Sequence, residues 1–391
     1  MLFLLRSLGL WLLLISNVNA NKLLNCDPNF SSDSSAFASL PPSINFSHYK
    51  APISGILPTT LTTPLEKALK PLLAKTPGYS VAVAIPNQGL WFSQSGLADI
   101  QTNKKLTASS LFQVASITKA FTAVLIMQLS EERKLNLSDK VSQYFPMQEF
   151  PIQEMTIEQL LMHTSGLANY HQHPTEDEVN KSPEQLIQNS LQQGNLFCPG
   201  TAWRYSNTGY ALLGKVIEKV DNKPLQVVIK DRITTPLSLN NTLLRTALDN
   251  VNLATGHISR EVTKPNDQYT AAYAAGGIAS TAEDILIFWH ALLSGKIVSQ
   301  NSLQEMFKLL APIDQNQAIF YGKGVQFFDI QPGPGVMIGH SGAIDGFKSV
   351  VAYLPEDDVY ISVLFNDQNV SAEAGLWHVL KALRAIKNYA H

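Results

Sequence analysis

A serine three residues ahead of a lysine, in Ser116-Ile117-Thr118-Lys119, is the pattern in this chain best suited to nucleophilic chemistry. On a helix, positions three apart share a face. A hydroxyl there sits beside an amine that can take its proton, which is how a serine is activated. The residues that follow favour that geometry. From Ile117 to Leu129 there is no Pro or Gly, and nearly every side chain is apolar or small. A helix apolar on all sides is a buried helix, and Ser116 is expected at its entrance as the N-cap. A lysine at the start of such a helix costs stability unless something needs it. The tetrad is short enough to arise by chance, and a second copy occurs at Ser47-His48-Tyr49-Lys50. That copy is polar, Pro-flanked and followed by no helix, so it is set aside.

A Ser–Lys nucleophile still needs a proton carrier for the leaving group, a polar group to hold the substrate, and donors for the oxyanion. Tyr205-Ser206-Asn207 offers the first two. A tyrosine can shuttle a proton if a nearby ammonium lowers its pKa, and Asn207 presents both a donor and an acceptor. His340-Ser341-Gly342 offers the third. It ends a predicted strand, and Gly342 lets a substrate backbone come close. The amide near Ala343 and that of Ser116 are the expected oxyanion donors. Taken singly, Tyr205, Asn207 and His340 are equally explained by packing and turns. Together they occur in order, each on the element its role needs.

The elements that must position them read as follows. Leu61–Leu73 is a helix candidate with Pro64 in its first turn. Tyr79–Ile85 and Leu90–Ser95 are strands joined by a turn at Pro86-Asn87-Gln88-Gly89. Residues 140–275 are mainly helical. Thr156 with Gln159 forms a capping box for a helix stopped by Gly166. Helices are also expected at Pro183–Gln192, at Gly209–Val220, and at Ala282–Leu293 capped by Thr281. Gly324–Asp329, Val336–His340, Lys348–Leu354 and Val359–Asn366 are strands, and Ser371–Asn388 closes the chain as a helix. The fold class is therefore α/β of the α+β type. One antiparallel sheet is built from N- and C-terminal segments, flanked by helices, with a mainly helical insertion over roughly 135–275.

With these motifs in order, the sequence resembles the serine β-lactamase and penicillin-binding protein superfamily, in its class C β-lactamase and D-Ala-D-Ala carboxypeptidase branch. The resemblance covers roughly residues 65–385 and includes Leu160-Leu161-Met162-His163-Thr164-Ser165-Gly166-Leu167, Pro199-Gly200-Thr201, Gly276-Gly277 with Ser280-Thr281-Ala282-Glu283-Asp284, and Gly339–Gly346. It implies the β-lactamase/transpeptidase-like fold and an acyl-enzyme on Ser116. Lys119 and Tyr205 would be the proton carriers and Asn207 the residue orienting Lys119 and the substrate amide. The Ser116 and Ala343 amides would be the oxyanion donors. True class C lactamases carry Lys-Thr-Gly where this chain has His340-Ser341-Gly342, which tilts the expectation toward a carboxypeptidase-like or related amide hydrolase. His340 would bind a substrate carboxylate only when protonated. An esterase on the same fold is the first rival, and a non-catalytic penicillin-binding or scaffold protein the second. His163 is read as structural, explained by packing at a helix end.

Composition sets the remaining bounds. The chain has 391 residues, 45% hydrophobic and 15% charged, with a formal net charge of −2. No basic excess points to nucleic acid. There is no Gly-x-Ser-x-Gly elbow of the α/β-hydrolases. No metal or cofactor is expected: His171-Gln172-His173 lacks a third ligand at a recognisable spacing. The expected partner is a small-molecule or peptide acyl substrate. Residues 1–20 read as a signal peptide, with an apolar run Leu8–Ile15 and a small-x-small site at Val18-Asn19-Ala20. Export to the periplasm or medium follows as an expectation, with no membrane-spanning segment in the mature chain. Residues 21–60 read as a flexible extension, and 61–391 as the hydrolase domain. Cys26 and Cys198 are the two mature cysteines, and export permits them to pair.

Overall fold

The structure is a computed structural model, which describes residues 49–145, 155–170, 181–245, 251–263, 271–313 and 318–386. Hydrophobic runs from opposite ends of the chain make the centre of the sheet. The strand Gly78–Ile85 pairs with its hairpin partner Gly89–Asp99 on one side. On the other it pairs with Val359–Phe365, with Tyr79 opposite Phe365 and Ala84 opposite Tyr360. Phe347–Leu354, Gly335–Ile344, Gln326–Ile330, Ile319–Tyr321 and Ala311–Pro312 then follow outward, and Lys104–Lys105 closes the opposite edge. All nine strands are antiparallel to their neighbours.

The central strands are apolar at nearly every position because both faces are covered. Val81, Val83, Val350 and Ala352 face the helices Thr59–Leu69 and Ala372–Arg384. Ala82, Ala84, Val351 and Tyr353 face the opposite core, shared with the helices Thr118–Glu131 and Ala282–Leu293. Of the 14 residues in Thr118–Glu131, 11 are buried, as an all-round apolar helix requires. Phe121 stacks on Phe288 of its neighbour, with ring centroids 3.7 Å apart.

Joined to that second core, described residues of the middle third form the helices Ile157–Leu161, Pro183–Gln192, Asn207–Asp221 and Leu225–Ile229. The expected capping box of Thr156 and Gln159 is formed, and Ser182 with Gln185 makes another. The buried Lys323 ties this region to the sheet side, holding Glu158 at 2.9 Å and Glu305 at 3.1 Å.

Two expectations need correction. The N-terminal extension does not reach residue 60, because Tyr49 packs edge-on against Tyr353 and His290 Nε2 meets the Ala51 carbonyl at 2.9 Å. These anchors are isolated side chains without periodicity, so the sequence pattern does not reveal them. Short strands were also missed: Phe112–Gln113, Ile278–Ser280 and Leu243–Leu244 form a small sheet beside the nucleophile turn. Two-residue strands are too short to show alternation. The proposed signal peptide, Cys26 and the His171–His173 pair lie outside the described residues. Among the described residues no helix is long and apolar enough to cross a membrane.

Candidate active site

The site begins with a strained turn. Ser116 is not the N-cap of the buried helix. It lies in a single 3₁₀ turn, Ala115–Ile117, that runs into the helix at Thr118. Ala115, just before it, has φ +49°, a left-handed conformation uncommon for a residue with a side chain. Such strain persists only where the surroundings enforce it. Here Val114 is fixed at both ends. Its amide donates to the Ile278 carbonyl at 3.0 Å, and its carbonyl accepts from Ser349 Oγ at 2.8 Å and from the Ile117 amide at 3.2 Å.

The polar face of the buried helix explains its buried threonines and lysine. Thr118 Oγ1 accepts from the Ile278 amide, Thr122 Oγ1 donates to the Ala274 carbonyl at 2.7 Å, and Lys119 Nζ donates to the Ala275 carbonyl at 2.7 Å. Lys119 also donates to Asn207 Oδ1 at 2.8 Å and lies 3.2 Å from Ser116 Oγ. Tyr205 Oη is 2.7 Å from Ser116 Oγ. Residues from positions 116, 119, 205 and 207 thus meet within hydrogen-bonding reach. Ser116, Tyr205 and Asn207 keep partly exposed surface, while Lys119 is buried behind them.

Electrostatics favour a neutral amine. Burial pushes the Lys119 pKa well below its ordinary value. A neutral amine has two hydrogens and one lone pair. The Asn207 and Ala275 oxygens take the two hydrogens, which leaves the lone pair for the Ser116 proton. At Tyr205 burial raises the pKa, outweighing the lowering by its hydrogen bond to Ser116. It is a neutral phenol rather than a phenolate, since no ammonium stands beside it when Lys119 is uncharged.

On the opposite wall, the strand Gly335–Ile344 brings Gly342 against the nucleophile turn. A Cβ at Gly342 would collide with Ser349 Oγ and the Val114 carbonyl and come within 3.1 Å of the Ser116 nitrogen. Only glycine permits that approach. Ala343, next along, is exposed. His340 is placed differently from the carboxylate-binding role anticipated for it. It is buried, with Nδ1 2.6 Å from the Ser341 carbonyl and Nε2 3.2 Å from Tyr321 Oη. The carbonyl can only accept, so Nδ1 carries the proton and Nε2 accepts from Tyr321. Burial is the main cause that lowers its pKa to about 3. It is neutral at pH 7, and with both ring nitrogens engaged it offers no charge to an incoming anion. Its neighbour Ser341 keeps some exposure, with its amide donating to Gln326 Oε1 at 2.8 Å.

His163, too, is buried, and its pKa is pushed well down, mainly by burial. In the unfolded chain both histidines titrate near 6.5. Below that pH the unfolded state binds protons that the folded state refuses, so stability falls as pH drops from 6.5 toward 3. We expect a melting temperature that is flat above pH 7 and declines below 6.5. The decline corresponds to about 1.4 kcal/mol per pH unit for each histidine. A melting temperature unchanged between pH 7 and pH 5 would contradict this.

Sequence reasoning did not anticipate the Ala275 carbonyl, Tyr321 or Gln326. The small residues Ala274-Ala275-Gly276-Gly277 signalled a close crossing but not which carbonyl would face the lysine. Cys198 is disulfide-bonded.

A profile of the beta-lactamase family matches residues 65–384. The chain belongs to the beta-lactamase family. This is a family of beta-lactamase-fold serine hydrolases that includes penicillin-binding proteins and amidases. Penicillin-binding protein 4* of Bacillus subtilis is 29% identical over 322 residues, 76% of this chain and 69% of that protein. The beta-lactamase of Escherichia coli is 26% identical, covering 84% of this chain and 95% of that one. Among solved structures, D-amino acid amidase from Ochrobactrum anthropi, complexed with L-phenylalanine, superposes with a TM-score of 0.74. It is 26% identical, over 83% of this chain and 98% of the amidase. The family match spans the elements that carry Ser116, Lys119, Tyr205, Asn207 and Gly342.

Proposed function

We propose that this protein is an exported acyl hydrolase that forms an acyl-enzyme on Ser116 and cleaves small amides or peptides of the D-Ala-D-Ala type. The observation that carries the reading is the joint placement of the Tyr205 and Lys119 head groups 2.7 and 3.2 Å from Ser116 Oγ. Ser116 Oγ attacks the acyl carbon and its proton passes to Lys119 Nζ. The amides of Ser116 and Ala343 receive the oxyanion. As the acyl–nitrogen bond breaks, the proton returns through Tyr205 to the leaving amine. Water then adds to the ester, its proton goes to Ser116 Oγ by the same groups, and the carboxylic acid leaves. Asn207 holds Lys119 through one end of its amide and meets the substrate with the other.

The neutral, buried His340 supplies no fixed positive charge for a substrate carboxylate, so among these substrates a small amide lacking one is preferred to a D-Ala-D-Ala peptide, whose terminal residue carries it. Similarity to a D-amino acid amidase points the same way, so a D-configured amide is preferred over a β-lactam. An ester is the second reading, supported by the same lack of a fixed charge at His340. The test is covalent capture. The protein is incubated with a fluorophosphonate or benzylpenicillin, weighed intact, and digested to locate the adduct. Parallel assays use nitrocefin, a D-Ala-D-Ala peptide, D-phenylalanine amide and a p-nitrophenyl ester. One adduct, on the peptide containing Ser116, is expected, with turnover greatest on the amide. An adduct on another residue, or none, would refute the assignment.

A further inference from the structure

His163 grips the segment that carries Tyr205 from both sides. Its main-chain carbonyl accepts from the Arg204 amide at 2.9 Å, and its ring Nδ1 accepts from the Ser206 amide at 3.1 Å. The two amides flanking Tyr205 are thus bound by one residue. Between them, the Tyr205 ring lies against the His163 ring, with centroids 4.4 Å apart and planes inclined by 37°. No other described residue holds both neighbours of Tyr205.

The clamp requires an unusual backbone. His163 has φ +60°, in the left-handed region, and directly follows Met162, the C-cap of the short helix Ile157–Leu161. This turn points the carbonyl and the ring of one residue at the same strand of loop. The loop is drawn in along the same edge: the Gly200 amide donates to the Thr164 carbonyl at 2.7 Å and the Leu196 amide to the Gly166 carbonyl at 2.8 Å. Gly166 is held by contact, since a Cβ there would collide with the Phe197 carbonyl. The ring of His163 is enclosed by Tyr205, Tyr210, Tyr321 and Trp203. Since Nδ1 accepts, the neutral ring carries its proton on Nε2, a buried atom without a hydrogen-bond partner among the described residues. A ring needed only to fill space would be better served by phenylalanine, which has no polar atom to strand. The hydrogen bond at Nδ1 is what the histidine adds.

We propose that His163 is the positioning residue for Tyr205, setting the phenol oxygen against Ser116 by fixing the amides on either side of it. This rests on the proposed role of Tyr205 as proton carrier. Misplacing a reacting group by about 1 Å costs on the order of 100-fold in rate, and that is the loss expected when the ring acceptor is removed.

The test uses the full-length protein and three variants: His163→Leu, His163→Asn and Tyr205→Phe. Asparagine tolerates the left-handed conformation and its Oδ1 can accept the Ser206 amide. With D-alanine p-nitroanilide as probe, His163→Leu is expected to lower kcat about 100-fold with KM changed less than about threefold, and His163→Asn to recover most of kcat. In the Tyr205→Phe background, His163→Leu should cost little more, because it acts through a hydroxyl already absent. Equal losses in both backgrounds, or no recovery with asparagine, would overturn the proposal.

A readout free of turnover separates it from the catalytic reading. Hydrogen exchange at the Ser206 amide, followed by mass spectrometry on the peptide spanning it, should be fast in His163→Leu and protected in the wild type and in His163→Asn. If that pattern holds while the wild type cleaves nothing, the clamp stands and the hydrolase reading falls. If exchange is the same in all three, the clamp falls whatever the activity. Should His163→Leu fail to fold, the same comparisons are made with His163→Gln, whose longer side chain cannot reach Ser206 with the same geometry.

Discussion

Replacing Lys119 with methionine is expected to lower turnover about 10⁴-fold while the protein keeps its fold. The amine is the one group that combines a lone pair free to face Ser116 with two hydrogens already committed, to Asn207 at 2.8 Å and to the Ala275 carbonyl at 2.7 Å. Methionine matches the length of the side chain and lies in the same buried channel, but offers no base. The stability change is the difference of two effects. Losing the donor strands the buried Ala275 carbonyl, at about 1–3 kcal/mol, and leaves the partly exposed Asn207 oxygen to water at less cost. Removing a polar head group from a site closed to water gives back a comparable amount. The melting temperature should therefore move by only a few degrees. Rates on an amide substrate, with thermal melts of both proteins, check the prediction. Activity within tenfold of wild type would remove Lys119 from the proposed chemistry. A collapse of the fold would make its role structural.

The second large effect is expected at Tyr205. Tyr205→Phe deletes an oxygen 2.7 Å from Ser116 Oγ and leaves the ring to pack against His163 and Tyr321. Turnover of an amide should fall about 10³-fold, since general acid–base groups contribute 10² to 10⁴. The loss on a p-nitrophenyl ester should be smaller. A nitrophenolate leaves without being protonated, whereas an amine must receive a proton as its bond to carbon breaks. The ratio of the two losses is the informative quantity. An equal fall on both substrates would indicate a disturbed Ser116 rather than a missing proton carrier. No fall on either would place the proton path elsewhere.

Much of this arrangement was legible before any coordinates, and the reasons are physical. Long periodic elements declare themselves. Pro183–Gln192 and Ala282–Leu293 have the bounds expected from their caps, because a capping residue followed by apolar spacing is a local signal. The central strands were found because burial on both faces makes their composition distinctive. The convergence of Ser116, Lys119, Tyr205 and Asn207 was foreseen from order and resemblance. What escaped was set by tertiary contact. Ser116 was expected to cap the helix, but the left-handed Ala115 inserts a 3₁₀ turn between them, enforced by Val114, Ile278 and Ser349. Whether an ammonium would lower the Tyr205 pKa was left open by the sequence, and burial governs both partners. His340 looked available to a ligand because a strand position does not reveal which neighbour covers it. Tyr321, 19 residues away on another strand, does so.

The pairing of Gly78–Ile85 with Val359–Phe365 constrains when the molecule can form at all. These two neighbouring strands are separated by most of the described residues, so the first hairpin must wait with one edge unsatisfied until Val359–Phe365 has been made. Contacts of such long sequence separation are slow to form, and an open edge of this kind invites association with other chains. The sheet is therefore completed late, once its C-terminal strands have joined the first hairpin. Truncation anywhere before residue 359 removes the strand that seals the centre, leaving a product unable to complete its sheet.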